Sequence, residues 1–482
     1  MADIFDNELG DVSSANAELE KAMTAGYGTD AAAYTDGRSL QREDLEATLV
    51  SVLDVAQNDC KVFHKLHKQP VTSTVHQIER QTGVGSEDYL FVGEGEKASE
   101  ADPAYERKIY ETKYMSSKWQ VSHPLTLTNN VDNPINAQKV SAVLRVTKGT
   151  EKAIFHGDSS IDSKQYDGLL KIIRDSADDT SKPERLRASR FDLRGLEVGE
   201  SDAALGINAD LDMFNSITEK VYSKGGDLAE AYFPPVVANQ FWNVMKDRLR
   251  FNVNDGVMGF TALPDIPTAT GSTIRIKGDC GADKMFKVKG VIEAAGDSTK
   301  RPNAPTSVTA AATADSASDF TAGFAGEYVY AVHAVNSYGI SAGTAIASAV
   351  TVAAGNKVTL TITPDVNGVA PTGYIITRTN AGGTELMEMV RVANTNGQSE
   401  FTYVDLNKDL PGTASIVLLT PSTNEMKPNA SFGQLMGMSN FDLPTDSSLA
   451  HRGVVALYGM LELRAPEFCA VIDNVGYAGG LY

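Results

Sequence analysis

The sequence predicts an α+β protein in which an all-β lobe interrupts a mixed host domain. Three observations carry this. A long amphipathic helix is written between Asn133 and Gly157, and an extended, heavily charged pair of strands between Val71 and Thr128. From Pro302 to Pro421, helix signals vanish and short strands separated by turns take over. At 482 residues the chain exceeds one compact core and is expected to divide into several units.

The elements follow in order. The stretch from Met1 to Asp36 is rich in Ala, Gly, Asp and Thr, contains Gly26-Tyr27-Gly28, and reads as extended or mobile. A helix begins near Ser39, with Leu45, Leu49, Val52, Leu53 and Ala56 at helical spacing. From Val71 to about Thr128 the residues are strand formers, with Trp119, Val121, Leu125 and Leu127 alternating with polar positions. Together with the Gly- and Glu-rich stretch from Gly83 to Pro103 they predict a long two-stranded hairpin with a charged tip, which needs a neighbouring surface to be stable.

Asn133-Pro134 opens the long helix, marked by Val140, Val143, Leu144, Thr147, Glu151, Ile154 and Phe155, and Gly157 closes it. Asp167-Gly168-Leu169-Leu170 begins a short apolar piece, and the polar, charged stretch from Asp175 to Ser201 reads as a loop or an elaboration. Helices are predicted at Asn208–Ser223, on Leu211, Phe214, Ile217 and Val221, and after Pro234-Pro235, on Val237, Phe241, Val244, Met245 and Leu249. The Pro-rich Lys300–Pro305 opens the lobe. Its strands include Tyr328–Val335, the alternating Val358, Leu360 and Ile362, Tyr374–Arg378 and Phe401–Val404, a β-sandwich pattern. The apolar Val454–Leu463 and Val471-Ile472 return to the host domain.

Composition excludes several classes of function. The hydrophobic fraction of 42% and charged fraction of 22% are ordinary for a folded protein. A formal net charge of −19 repels nucleic acid and anionic membranes, and no basic patch of a sequence-reading DNA binder is visible. From Met1 to Asp59 only Lys21, Arg38 and Arg42 oppose the acids, whereas from Lys61 to Trp119 the two signs are interleaved and nearly balanced. Cys60, Cys280 and Cys469 lie far apart with no CxxC pair, so neither a disulfide framework nor a zinc knuckle is expected, and a reducing cytoplasm fits as the place of synthesis. The acidic start, MADIFDNELGDV, does not read as a signal peptide, and no apolar run is long enough to span a bilayer.

The chemistry-bearing motifs favour bland readings. His64 and His67 form HxxH near His76, but Lys65 and Lys68 beside them would repel a cation, so no metal is expected. Gly83-Val84-Gly85 and Gly93-Glu94-Gly95-Glu96 precede no Lys-Ser/Thr helix and are crowded by acids, which opposes phosphate binding. His156-Gly157-Asp158-Ser159-Ser160 ends a helix and lacks the GxSxG elbow of a nucleophile. No catalytic residue, cofactor or metal site is assigned.

Several segments, taken in order, resemble the major capsid proteins of large contractile-tailed bacteriophages. They are Gly26-Tyr27-Gly28 with the Leu40–Val55 helix, Lys68-Gln69-Pro70-Val71-Thr72-Ser73-Thr74-Val75, and Asn129-Asn130-Val131-Asp132-Asn133-Pro134. Phe155-His156-Gly157-Asp158-Ser159-Ser160, Tyr166-Asp167-Gly168-Leu169 and Tyr458–Pro466 complete the set. The resemblance covers most of the chain outside Asp175–Ser201. It implies the Hong Kong-phage-type capsid fold: an N-terminal arm with the first helix (1–68), an E-loop hairpin (69–128), a peripheral domain with a spine helix (129–224) and an axial domain (225–301). An inserted immunoglobulin-like or fibronectin-like sandwich (302–421) and a return to the axial and peripheral domains (422–482) would follow.

The implied function is structural. Copies would assemble as pentamers and hexamers of an icosahedral head enclosing double-stranded DNA held by non-specific proximity. Scaffolding, portal and decoration proteins are the implied partners, with no membrane. The protein would be made in the bacterial cytoplasm and reside in the virion. A shell subunit needs extended arms because one flat contact buries modest area. The balanced charges of the hairpin therefore make Glu94, Glu96, Arg107 and Lys108 the candidate inter-subunit contacts. The alternative is a surface-layer or adhesion protein whose sandwich binds a ligand, which the missing signal peptide opposes. An enzyme with an accessory sandwich ranks third.

Overall fold

A computed structural model describes residues 61–85, 91–97, 101–128, 133–203, 206–245, 266–267, 273–277, 296–421, 428–444 and 449–477. The expected N-terminal arm, the helix after Ser39, Cys60 and Cys280, and Leu249 lie outside these residues.

The first half of the chain runs α1 (Lys61–Lys65), β1 (His67–Pro70), β2 (Val75–Gly83), β3 (Ala104–Glu111), β4 (Lys113–Ser122) and α2 (His123–Leu127). The long α3 (Pro134–His156), α4 (Leu169–Asp178), β5 (Ser189–Asp192), α5 (Leu211–Tyr222), β6 (Glu230–Tyr232), α6 (Pro235–Met245), β7 (Ile266–Pro267) and β8 (Thr273–Lys277) follow. The lobe then adds β9 (Ser307–Ala314), β10 (Gly326–Tyr328), β11 (Tyr330–Asn336), β12 (Val350–Val352), β13 (Asn356–Thr363), β14 (Gly373–Arg378), β15 (Met387–Ala393) and β16 (Phe401–Asp405). The chain returns through β17 (Ala414–Leu419), β18 (Ala430–Leu443), β19 (Ala450–Leu463) and β20 (Ala470–Val475). Helices and sheets are thus mixed, an α+β protein.

Both host sheets are built from strands on either side of the lobe. One has the order β1-β18-β19-β4, the other β5-β20-β17-β6-β8-β7. The first packs against α3 and α4 over a core that includes Trp119, Ile154, Phe155, Leu169, Phe432, Leu457 and Leu461. Gly453 sits opposite Trp119 in the β4–β19 ladder, and the indole ring lies where a Cβ would stand, so this position needs glycine. The second sheet shares a core with α5 and α6 through Phe214, Ile217, Phe233, Phe241, Ile416 and Ile472. Buried charges tie the elements together. The Glu151 carboxylate of α3 accepts the backbone N–H groups of Val62 (3.1 Å) and Phe63 (2.6 Å), satisfying the start of α1. Asp473 of β20 pairs with Arg174 (2.5 Å) and Arg190 (2.8 Å).

The lobe closes on itself. The β9-β13-β16 sheet and the sheet containing β11, β14 and β15 enclose a core of Val332, Val358, Leu360, Ile362, Tyr374 and Phe401 with their neighbours. A buried ion pair bridges the sheets: Arg378 of β14 donates to Asp405 of β16 at 2.6 Å, and the Tyr330 hydroxyl donates to the same carboxylate at 2.8 Å.

Three expectations change. β4 does not extend the hairpin: it pairs with β19 in the host sheet, and Leu125 and Leu127 fall in the short α2. The strand signal ran on through Thr112 because no Gly or Pro marks the switch of partner. The charged stretch read as a loop contains β5, which pairs in parallel with β20 and places Arg190 on Asp473. Val140 and Val143, expected to mark the inner turns of the long helix, are exposed, and Ala142 and Val146 are the buried residues there.

Candidate assembly interface: the charged hairpin

Among the described residues β2 and β3 pair only with each other, in antiparallel register with Gln77 opposite Ile109, Ile78 opposite Lys108, Glu79 opposite Arg107 and Arg80 opposite Glu106. Strand side chains alternate between faces, so register divides the ribbon into two sets. His76, Ile78, Arg80, Glu106, Lys108 and Tyr110 turn toward the body of their own chain, while Val75, Gln77, Glu79, Tyr105, Arg107 and Ile109 turn away.

Polar contacts hold the inner face. Arg80 bridges Glu106 (2.6 Å) and Glu467 (2.8 Å) and donates to the Arg464 carbonyl at 3.3 Å. The Tyr110 hydroxyl donates to the Leu463 carbonyl at 2.6 Å, and Lys182 reaches Glu106 at 2.6 Å. His76 Nε2 stands 3.8 Å from the fully buried Glu462. Partial burial works against the charged form of Glu106. Hydrogen bonds from Lys182 and Arg80 outweigh it and hold the carboxyl down at about 2. Lys108 has the opposite fate: burial, and then the nearby Arg80 charge, lower its ammonium to about 8.

The outer face is a mixed surface. Tyr105 is 69% exposed and Ile109 60%, with Val75 beside them, around an exposed Arg107–Glu79 pair at 2.5 Å. At the tip, Phe91 is fully exposed, and the exposed Glu96 accepts the Gly93 N–H at 2.8 Å, closing a turn that also carries the exposed Glu94.

The candidate contacts therefore part company. Glu94 and Glu96 lie at the tip and Arg107 on the outer face. Lys108 stands on the inner face, turned to its own chain, because adjacent residues of a strand cannot share a face. The seam of Arg80, Glu106, Tyr110 and Glu467 was not foreseen, nor was the outward apolar set Val75, Tyr105 and Ile109. The period of two in any strand, which puts Tyr105, Arg107 and Ile109 on one face and Glu106, Lys108 and Tyr110 on the other, was the available signal. His64 lies in α1 and His67 in β1, so the HxxH residues do not share one helical face. At the end of α3, Ser160 bonds its near neighbour Asp158, and the Ser159 N–H donates to Asp167 at 2.9 Å, which is turn geometry.

Comparisons with known proteins bear on what such a surface is for. No protein-family model matches the chain. A major capsid protein of Enterococcus phage phiEF24C is 26% identical over 97% of this chain and 96% of its own length. Another, from a Staphylococcus phage, is 24% identical over 95% of each. The chain is a phage capsid protein. Its role is structural and its place is the virion shell. Among solved structures, the capsid of Cyanophage P-SCSP1u aligns with 92% of this chain and 96% of its own, with a TM-score of 0.46 and 10% identity. A structure from Gordonia phage Cozz aligns with 93% of this chain and 95% of its own, with a TM-score of 0.42 and 10% identity. Among the described residues no helix is long and apolar enough to cross a membrane.

Proposed function

We propose that copies of this chain join as pentamers and hexamers of an icosahedral head around double-stranded DNA, and that the outer face of the β2–β3 hairpin is one of the joining surfaces. The observation that carries this reading is the division of the ribbon: charge holds one face to its own chain, while Val75, Tyr105 and Ile109 stand exposed on the other. Burying a large apolar side chain against a neighbour contributes roughly 1.5–3 kcal/mol. The exposed Arg107–Glu79 pair adds little, about 0–1 kcal/mol, and serves register rather than affinity. Glu94, Glu96 and Arg107 remain inter-subunit contacts in this proposal, and Lys108 does not.

In the same reading the chain divides as the capsid resemblance implies, with residues 302–421 an immunoglobulin-like insertion on the outer surface. Scaffolding, portal and decoration proteins are its partners, DNA lies close without specific contact, and no reaction is catalysed. Reversing Glu79, Glu94, Glu96 and Arg107 together should lower shell yield several-fold, measured by sedimentation and electron microscopy, while circular dichroism shows an unchanged subunit. Undiminished yield and shell stability would overturn the interface.

A further inference from the structure

One cavity carries a wall that opposes the charge of the whole molecule. It lies beside the C-terminal half of α3, between β4, the loop after α3 and β15 of the lobe, and encloses roughly 500 Å³. Lys113, Arg145, Lys152, Lys164 and Arg391 line it, and among the described residues no carboxylate does, in a chain of net charge −19. Concave walls of one sign focus the field into the space they enclose. Several of these cations are already positioned. Lys113 pairs with Glu111 and Arg391 with Glu388. Arg145 donates to the Ser117 hydroxyl, and Lys164 to that of Ser337. Glu111 and Glu388 therefore offset part of the charge from outside the wall.

A second observation stands apart from the charges. His156, the last residue of α3, lines the same cavity, and its Nε2 is buried with no hydrogen-bond partner among the described residues. An unsatisfied buried polar atom costs roughly 1–3 kcal/mol. Burial first, and then Arg391, Arg174 and Lys152, keep the ring neutral. A smaller adjoining cavity shares His156, Lys152 and Arg391 but has Asp158 and Asp162 on its wall, so the anion-attracting side is the one toward β4.

We propose that this cavity binds an oxyanion of the carboxylate or phosphate class, seated against Lys152 and Arg391 with the Nε2–H of His156 as a donor. The bound group completes the hydrogen bonding of His156 and neutralises the wall. Two sources supply that chemistry. One is a free multivalent anion. The other is an acidic side chain from a second copy of this chain, whose residues before Cys60 carry many acids against Lys21, Arg38 and Arg42.

Sodium pyrophosphate is the probe, titrated at fixed ionic strength into unassembled subunits and into intact shells. Heat of binding is read for both, and the His156 ring carbon resonance for the subunits. Saturable binding by subunits is expected, with a shift of the His156 signal and at least fivefold weaker affinity in both Lys152→Gln and His156→Gln. Equal binding by shells assigns the site to a free anion. Binding by subunits alone assigns it to a group supplied by a neighbouring copy. Absence of saturable binding by subunits, or unchanged affinity in Lys152→Gln with a static His156 signal, would overturn the proposal. Lys152→Gln keeps the test decisive if the His156 variant does not fold.

Discussion

The hairpin and the lobe are both antiparallel β structures with alternating side chains, yet they are held by opposite means. In the lobe, alternation delivers Val358, Leu360 and Ile362 into a core shared by two sheets, so each strand is buried by other strands of the same lobe. In the hairpin, the inward set is Arg80, Glu106, Lys108 and Tyr110, which meets carboxylates and carbonyls of the host domain, and the outward set is half apolar and uncovered. Period-2 patterning says that a strand has two faces, not what each one meets. The lobe supplies its own second layer. The ribbon is a single layer, which is only marginally stable without a partner.

The largest way to break that contrast is in the lobe core. Leu360→Ala removes a fully buried side chain and should cost about 3 kcal/mol, within the usual range for such cavities. Calorimetry should show the lobe transition falling while shell assembly persists. Loss of assembly at the same lowered temperature as the lobe transition would mean that the lobe and the shell contacts are one cooperative unit.

Next in size is the seam. Arg80→Ala strips the cation from Glu106 and from the nearly buried Glu467 and should cost about 2 kcal/mol, less than for a fully buried pair because Glu106 keeps Lys182. Hydrogen exchange should rise along β2 and β3 and nowhere in the lobe. Acid should act in the same direction. Glu106 is held below its ordinary 4.5, so its contribution is complete above about 4.5 and disappears as pH falls toward about 2. The wild-type hairpin should loosen in that window, whereas Arg80→Ala is loose on both sides of it. Uniform protection in the variant would deny the seam its role.

These differences also explain how far the sequence could be read. β13 was legible because a half-buried strand writes its environment into its own alternation, and α5 because Phe214, Ile217 and Val221 recur at helical spacing on one buried face. β5 was not legible. Its sequence, Ser-Arg-Phe-Asp, is ordinary for a loop, and it becomes a strand because β20, whose Asp473 lies 283 residues beyond Arg190, offers a parallel edge and that carboxylate. The hairpin stood between these cases. Its charges were visible, but which of them turn inward depended on Glu462, Leu463 and Glu467, all distant in sequence. Local pattern records which residues share a face, and only tertiary partners decide which face is covered.

The finest test separates two adjacent residues of β3. Arg107 and Lys108 carry the same charge, but Arg107 is on the outer face and Lys108 on the inner one, opposite Ile78 and near Arg80. An ammonium held at about 8 by burial and by a neighbouring guanidinium opposes the docked hairpin wherever it is charged. Its ordinary value is 10.5, so the unfolded chain binds the extra proton between about 8 and 10.5. The penalty is therefore complete below about 8 and is relieved as pH rises through that interval. Lys108→Met keeps the aliphatic reach and removes the charge. It should stabilise the hairpin by about 1 kcal/mol at pH 7, a figure discounted from the full 1.36 kcal/mol per pKa unit because the side chain is only half buried. The gain should shrink toward zero near pH 10.5, as read from hydrogen exchange along β3. Shell yield should be unchanged, since the residue faces its own chain. Destabilisation at pH 7, or a loss of yield matching that of an Arg107 variant, would place Lys108 back at the contact between subunits.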